Sequence, residues 1–290
     1  MIFKHFEDST KKQISILKSL YQKSKSSAQK KLIEYDLKKL QNGHQSEKEN
    51  AYYLDFHLGS SDNHILLHNI RLEHKGRTAQ IDHILISRMG ITLLESKSFK
   101  GRLSIKHDGS LSVAYGKHVT TFPNPIEQNN RHKIVINELI NDYFDVPINA
   151  QIAGGINIYT KVLINPKTTI ENKKLPDGYE RADSFATARI NEINKMSSLA
   201  VLKTAATMLT KRKMQELASF IVKHDKPISF DYRKKYIIPH AQKDNSYIQE
   251  DNLDYNKTDN TNNKWYRFAL SAKAKTYKLI MANMAIILNV

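Results

Sequence analysis

Three short apolar runs over residues 64–99, interrupted by polar residues, predict three consecutive β-strands. The three segments are residues 64–73, 79–87 and 91–99, and each is rich in Ile or Leu. Before them, apolar residues recur at helical spacing over residues 10–41, with a predicted bend near "SKSS" at residues 24–27. Asn42 and Gly43 are predicted to end this helix, and a second helix is predicted over residues 46–58.

After the three strands, the pattern predicts an added hairpin, a helix and a further strand. The hairpin covers residues 102–115 and turns at Asp108–Gly109, which is a strong hairpin signal. Two signals mark the start of the following helix: Asn124 can cap it, and Pro125 suits its first turn. The last strand is predicted over residues 156–166. The order from residue 46 onward is therefore helix, three strands, hairpin, helix and strand, which is typical of an α/β fold.

After the last strand come a helical segment, which is predicted to support the sheet rather than to read DNA, a linker and a tail. Residues 184–224 have a helical pattern, and we expect these helices to pack on the sheet. Residues 241–264 are rich in Asn, Asp and Lys, as in a linker. We therefore predict an N-terminal helical segment (1–42), a core domain (43–170), a helical extension packed on the core (171–240), a polar linker (241–264) and a C-terminal tail (265–290).

Three ionisable residues, Asp82, Glu95 and Lys97, interrupt the apolar strands. Side chains alternate along a strand, so Glu95 and Lys97 share one face about 7 Å apart. If Arg88 and Met89 are the two central residues of the turn "SRMG", Asp82 lies directly opposite Glu95. A three-residue loop would shift the register by one, and a bulge would then be needed to bring the two carboxylates together.

Two carboxylates and an ammonium on one sheet face suit phosphodiester hydrolysis. Hard carboxylate oxygens can hold Mg²⁺ while its other positions keep water and a phosphate oxygen. Lys97 can then position or help to deprotonate the attacking water, or neutralise charge at phosphorus. The competing interpretation is structural, because Glu-x-Lys in a strand is commonly a salt bridge.

Composition points to an anionic partner. The 45 Lys and Arg against 29 Asp and Glu give a formal net charge of +16. The absence of Cys excludes disulfides and thiolate zinc sites. The N-terminus lacks an apolar signal-peptide core, and the late apolar run of 12 residues is shorter than the ~20 that a membrane span needs. We expect a soluble, cytoplasmic protein that does not associate with membranes.

The segment "GRTAQIDHILISRMGITLLESKSFKG", followed by "NPIEQNNRH", resembles the nuclease-related domain known as NERD, in the PD-(D/E)xK nuclease superfamily. The resemblance covers about residues 44–165. It implies a core of helix, three strands, helix and strand, here with the added hairpin and flanking helices. It also implies a Mg²⁺-dependent DNA endonuclease, with Mn²⁺ as a substitute ion and no small-molecule cofactor.

The resemblance assigns roles to matching positions in this chain. Asp82 corresponds to the metal-bridging carboxylate, Glu95 to the second metal ligand and Lys97 to the catalytic lysine. The backbone carbonyl of Ser96 is expected to face the metal.

In the first helix of the core, Glu47 matches a position that supplies a further metal ligand. The family usually has Gly before it, whereas Ser46 stands here, so Glu49 stays an alternative. Gln128 corresponds to an active-site helper. His132 lies one helical turn later and is either a nucleic-acid contact or structural.

Arg71, Lys75 and Arg77 precede or begin the second strand and are candidate phosphate contacts, although ordinary surface solvation explains them equally well. His83 adjoins Asp82, but alternation points it to the opposite face, which favours a hydrogen-bonded core or surface histidine. Two other functions stay open. One is a non-hydrolytic DNA-binding protein on the same fold, and the other is a membrane-surface protein that uses the Lys-rich helix and the apolar tail.

Overall fold

A six-stranded mixed sheet forms the centre of the protein in the computed structural model, which describes residues 1–6, 10–195, 208–228 and 230–236. All of these residues belong to one compact unit, Met1–Pro239. The sheet has the order β1-β2-β3-β4-β8-β10. Its strands are β1 (Ile2–Lys4), β2 (His64–His74), β3 (Arg77–Ser87), β4 (Gly90–Lys97), β8 (Ile158–Ile164) and β10 (Tyr179–Arg181).

A second sheet has four strands in the order β7-β6-β5-β9. Its strands are β5 (Arg102–Ile105), β6 (Leu111–Tyr115), β7 (His118–Phe122) and β9 (Thr169–Ile170). The described helices are α1 (Thr10–Lys23), α2 (Ser27–Leu58), α3 (Pro125–Tyr143), α4 (Ile148–Ile152), α5 (Ala182–Lys195), α6 (Lys211–Lys223) and α7 (Tyr232–Lys235). The predicted α/β core is confirmed, because α2, β2 to β4, α3 and β8 follow one another in the expected order.

Helices cover both faces of the six-stranded sheet. On one face, Leu139 of α3 and Leu217 of α6 pack in the same cluster as strand residues such as Leu93. On the other face, Leu54 of α2 and Phe185 of α5 pack in one cluster with residues of β2 to β4 and β8. Because both faces are buried, the central strands read as nearly continuous apolar runs. The charged positions within them are therefore exceptions that need a physical reason.

The predicted helix end at Asn42 and Gly43 is wrong. Helix α2 runs unbroken for 32 residues through both positions. A glycine inside a helix costs only about 1 kcal/mol relative to Ala, and buried residues on either side of it, from Ile33 to Leu54, outweigh that cost. The helix is interrupted earlier, between Lys23 and Ser27, where the bend near residues 24–27 was predicted. There the Ser26 side chain accepts a hydrogen bond from the Gln29 N–H at 3.3 Å and caps α2. The domain boundary predicted between residues 42 and 43 falls inside this helix.

The predicted hairpin is confirmed, and it belongs to the smaller sheet. Ile105 pairs with Leu111, and Gly109 in the turn has φ of +77°, a conformation that glycine adopts without strain. Residues Leu103 and Val113 of this hairpin pack against Val162 of β8. The sequence pattern did not reveal β1, β7, β9 or β10, which are short strands of two to five residues.

Within the predicted helical extension, α6 packs on the sheet, since Met214 and Ile221 lie in the core cluster beside β2 and β3. Residues 196–207 of that extension, the predicted linker and the predicted tail lie outside the described residues. No helix within the described ranges is long and apolar enough to cross a membrane.

Candidate active site

The turn between β3 and β4 decides whether the two strand carboxylates meet. Ser87 pairs with Gly90, which leaves Arg88 and Met89 as the two central turn residues. The antiparallel ladder then continues to the pair His83–Leu94. The next positions along the two strands are Asp82 and Glu95. The predicted two-residue turn and its register are therefore confirmed.

Asp82 lies where the regular strand pattern is interrupted. The pairing of β2 with β3 includes His68–His83 and Ile70–Ile81 but skips Asn69 and Asp82, and Asn69 has a positive φ of 53°. Ile81 packs in the same cluster as Ile84, so strict alternation shifts by one residue between them. At this irregularity, Asp82 Oδ2 accepts a hydrogen bond from the Ser96 backbone N–H at 2.7 Å. The carboxylate is thus anchored to β4 at the Glu-x-Lys segment.

Glu95 is the most buried acid of the cluster, with 4% of its side chain exposed. Its Oε1 accepts hydrogen bonds from Lys97 Nζ at 2.5 Å and from Gln128 Nε2 at 3.0 Å. Its Oε2 is also buried and has no hydrogen-bond partner among the described residues. Gln128 comes from the first turns of α3, whose start is fixed by Asn124, because the Asn124 side chain accepts from the Ile126 N–H at 2.9 Å.

Glu47, rather than Glu49, joins this cluster. Burial, followed by the charge of Glu95, raises the pKa of Glu47 to about 7. Burial, followed by the charges of Glu95 and Glu47, raises the pKa of Asp82 well above its usual range. Glu49 turns away, since its carboxylate accepts hydrogen bonds from Asn165 and Lys167, both at 2.8 Å.

These side chains open into one cavity of about 490 Å³. Its walls include the predicted site residues Glu47, Asp82, Glu95, Ser96, Lys97 and Gln128. Lys39 and Arg131 also line it, and sequence reasoning did not single them out. A cavity with acids on its floor and cations on its walls can hold a cation and an anionic group side by side.

The donor set fits a hard divalent cation. Among the described residues, no three His, Asp or Glu side chains stand close enough together to hold an ion by themselves. Mg²⁺ does not require that, because it usually keeps several waters and binds through one or two carboxylates. Glu95 Oε2 has no donor among the described residues, and the raised pKa of Asp82 shows that burial and the neighbouring carboxylates disfavour its ionised form. A bound cation would stabilise the ionised form of both groups. Asp82 and Glu95 are therefore the side chains that could hold Mg²⁺.

A buried chain of hydrogen bonds supports the other side of Ser96. Asp55 Oδ1 lies 2.9 Å from His68 Nε2, His68 Nδ1 lies 2.7 Å from His83 Nδ1, and His83 Nε2 lies 3.0 Å from Ser96 Oγ. If the Asp55 carboxylate oxygen accepts from His68 Nε2–H and both rings are neutral, His68 Nδ1 accepts from His83 Nδ1–H and Ser96 Oγ donates to His83 Nε2. Burial, followed by His68, lowers the pKa of His83 well below its usual range. The interpretation of His83 as a hydrogen-bonded core histidine is confirmed.

The remaining predicted site residues do not line the carboxylate cavity. Arg71, Lys75 and Arg77 are each paired with a carboxylate. Their partners are Glu73, Asp142 and Glu138, respectively. Their role as phosphate contacts stays a prediction.

His132 is buried, with 8% of its surface exposed. Burial, followed by the charges of Arg131 and Lys97, lowers the pKa of His132 to about 4. A neutral, buried imidazole supports the structural alternative, and contact of His132 with nucleic acid stays untested.

Comparison with known proteins relates part of the chain to a protein family. Residues 42–156 match the family model described as the nuclease-related domain, NERD, which belongs to the PD-(D/E)xK-like nuclease superfamily. The matched range contains Glu47, Asp82, Glu95, Lys97 and Gln128. Neither the curated proteins nor the solved structures gave a match.

Proposed function

We propose that this chain, whose residues 42–156 match the nuclease-related domain of the PD-(D/E)xK-like superfamily, is a Mg²⁺-dependent endonuclease that hydrolyses phosphodiester bonds in DNA. The observation that carries the proposal is the convergence of Asp82, Glu95 and Lys97 on one cavity, with Gln128 hydrogen-bonded to Glu95. A cluster of acids beside a lysine in a cleft is the arrangement that metal-assisted phosphoryl hydrolysis needs.

Asp82 and Glu95 would hold the ion, with the Ser96 carbonyl beside them, and Mn²⁺ could take the same hard oxygen ligands. When bound, Mg²⁺ supplies charge that stabilises the phosphate in the transition state and lowers the pKa of a coordinated water. Ser96 holds Asp82 in place through its backbone N–H. Gln128 holds Glu95 through Oε1 and leaves Oε2 without a protein partner among the described residues.

Lys97 is the group best placed to act on the substrate. Its side chain is 27% exposed and lines the cavity. From there its ammonium can donate to a phosphate oxygen or to the attacking water. Lys39 and Arg131 add positive charge to the cavity walls, which would attract the flanking phosphates of the DNA backbone.

A nuclease assay over linear duplex, circular duplex, single-stranded and branched DNA tests this function. With Mg²⁺ or Mn²⁺ we expect cleavage, including nicking of the circle, and chelator should abolish it. Asp82→Asn and Lys97→Met should each lower the cleavage rate by about 10²-fold or more. Lys167→Met is the matched control, because Lys167 pairs with Glu49 away from the cluster.

One observation favours the second candidate, a non-hydrolytic DNA-binding protein. The close Lys97–Glu95 ion pair, at 2.5 Å, is also what a purely structural role would produce. If the metal-loaded wild type cuts none of the four substrates, yet binds DNA in a salt-sensitive manner that Glu95→Gln leaves unchanged, the binding function replaces the nuclease.

A further inference from the structure

A second cavity of about 410 Å³ lies directly beside the carboxylate cavity. The two cavities have Lys39, Gly43 and Glu47 in common. These residues are spaced four apart on α2, so they lie along one face of that helix. The shared wall is therefore a single stripe of helix surface, with an acid of the candidate active site at one end.

The middle of this stripe carries no side chain. A Cβ at Gly43 would have the Glu47 Oε1 as its nearest neighbour, at 4.0 Å, so packing does not require glycine there. Glycine is unfavourable in the interior of a helix, and the position nevertheless lies in the middle of α2. Because Gly43 has no side chain, nothing projects between the two cavities at this position, and a ligand can pass close to the α2 backbone.

An exposed aromatic side chain lines the second cavity. Phe230 is 52% exposed, and its ring lies 4.7 Å from that of Tyr232, centroid to centroid, in an edge arrangement. The segment that carries it is firmly attached. Tyr236 is buried against α1 and α2, and its hydroxyl donates to Leu32 O at 3.1 Å and lies 2.8 Å from Asp36 Oδ2. The exposed Phe230 ring, carried by a segment that is packed against the protein, offers a surface on which another aromatic ring can stack.

Basic residues outnumber acidic ones around this stacking surface once the neighbouring helix α7 is included. Lys39 and Lys235 line the cavity together with the acids Asp36 and Glu47, and Lys235 pairs with Asp36. On the same short helix, α7, Arg233 and Lys234 are exposed and form no ion pair with a described carboxylate. Basic side chains beside an exposed aromatic ring are the combination with which proteins bind unpaired nucleotides.

We propose that the second cavity is a binding site for an unpaired nucleotide of single-stranded DNA, whose base stacks on Phe230 while its backbone passes Lys39 toward the carboxylate cavity. The inference rests on the proposed nuclease function and specifies its substrate as DNA with a single-stranded segment. A base inside a duplex cannot serve, because both of its faces are covered by neighbouring base pairs. An unpaired base has a free face, and the sequence of the strand matters little.

Fluorescence anisotropy with three labelled DNAs tests this site in the full-length protein. The probes are a single strand, a blunt duplex, and the same duplex with a single-stranded extension, all in EDTA so that binding is measured without cleavage. Phe230→Ala should weaken binding of the single strand and of the extended duplex by about tenfold or more, and leave the blunt duplex unchanged. Phe230→Trp should restore binding. Ile228→Ala, an exposed apolar residue outside the cavity, is the matched control and should bind like the wild type.

Two results would overturn the inference. One is a Phe230→Ala variant that binds all three DNAs as the wild type does, and the other is an equal loss on all three. Cleavage in Mg²⁺ is measured separately, so the two proposals fail separately. A wild type that cuts DNA while Phe230→Ala binds normally refutes only the nucleotide site. A wild type that never cuts DNA, but loses single-strand binding in Phe230→Ala, refutes only the nuclease.

Discussion

Replacing Glu47 with Gln should make the ion-free protein more stable at alkaline pH. Glu47 is half-buried near Glu95 and Asp82, and burial, followed by the charge of Glu95, raises its pKa from the usual 4.5 to about 7. A carboxyl group whose pKa is higher in the folded state favours folding at low pH. That contribution is lost as pH rises from the unfolded pKa to the folded pKa. The wild type loses this contribution to its free energy of unfolding between about pH 4.5 and pH 7. Glu47→Gln has no carboxyl group at this position and does not lose it.

The size of the effect follows from the change in pKa. One unit of pKa corresponds to 1.36 kcal/mol, so a rise from 4.5 to about 7 gives about 3 kcal/mol between the two ends of the interval. Glu47 is also one of the charges that raise the pKa of Asp82. Its removal relieves Asp82 as well, and this second effect has the same sign.

Urea unfolding, followed by circular dichroism in EDTA at pH 5, 6, 7 and 8, measures this difference. The free energy of unfolding of Glu47→Gln minus that of the wild type should rise with pH by about 3 kcal/mol and level off above pH 7. Glu49→Gln is the control on the same helix. Although burial opposes it, hydrogen bonds from Lys167, Gln45 and Asn165 lower the pKa of Glu49, so its difference should stay level over this range and not exceed zero.

The reasoning is refuted if the Glu47→Gln difference does not change between pH 5 and pH 8, or if the variant is the less stable protein at pH 8. Either result would mean that Glu47 is not held among other carboxylates in the folded protein.

Three further outcomes are expected. Mg²⁺ at 100 times the Kd measured at pH 8 should stabilise the folded wild type by about 2.7 kcal/mol at that pH, and the same concentration should stabilise it less at pH 5.5, where protons compete for the carboxylates. Thermal denaturation of Asp82→Asn should show no such gain. Asp55→Ala leaves the buried Nε2–H of His68 without its acceptor and should lower the free energy of unfolding, measured in urea, by about 1–3 kcal/mol. Asp62→Ala, at an exposed position, is the control and should change the free energy of unfolding little. The pKa of His132 is lowered to about 4 in the folded protein, so the free energy of unfolding of the wild type should fall by up to about 3 kcal/mol as pH falls from 6.5 to 4. In acid unfolding, the free energy of unfolding of His132→Gln should fall less over the same pH range.

The meeting of Asp82 and Glu95 in one cluster could be predicted from the sequence because it depends on local rules. A two-residue turn fixes the hairpin register, and the period of two along a strand then fixes which side chains share a face. The hairpin at Asp108–Gly109 and the start of α3 at Asn124 followed from equally local signals.

The stripe formed by Lys39, Gly43 and Glu47 was hidden by one wrong prediction. Because the helix was expected to end at Asn42 and Gly43, Lys39 and Glu47 were assigned to separate elements. In the continuous helix they are two turns apart on the same face. The local preference of Asn and Gly to end a helix was overridden by packing on both sides, which a propensity argument does not include.

The hydrogen-bonded chain from Asp55 to Ser96 could not be predicted from any local pattern. Its members come from α2, β2, β3 and β4, and each contact joins residues 13 or more positions apart. Short strands such as Ile2–Lys4 escaped for the same reason, since only pairing with β2 defines them.

The unbroken length of α2 has a mechanical consequence for the candidate active site. Glu47 lies about 10 Å along the helix axis from Leu54, where α2 is packed into the main sheet. A tilt of about 5° around that point would carry the Glu47 backbone sideways by about 1 Å, a displacement that can cost an enzyme 10²-fold in rate. Toward the other end of α2, Ile33 packs in one cluster with Leu17 and Tyr236. The position of the Glu47 carboxylate therefore depends on how α2 is packed on both sides of that residue.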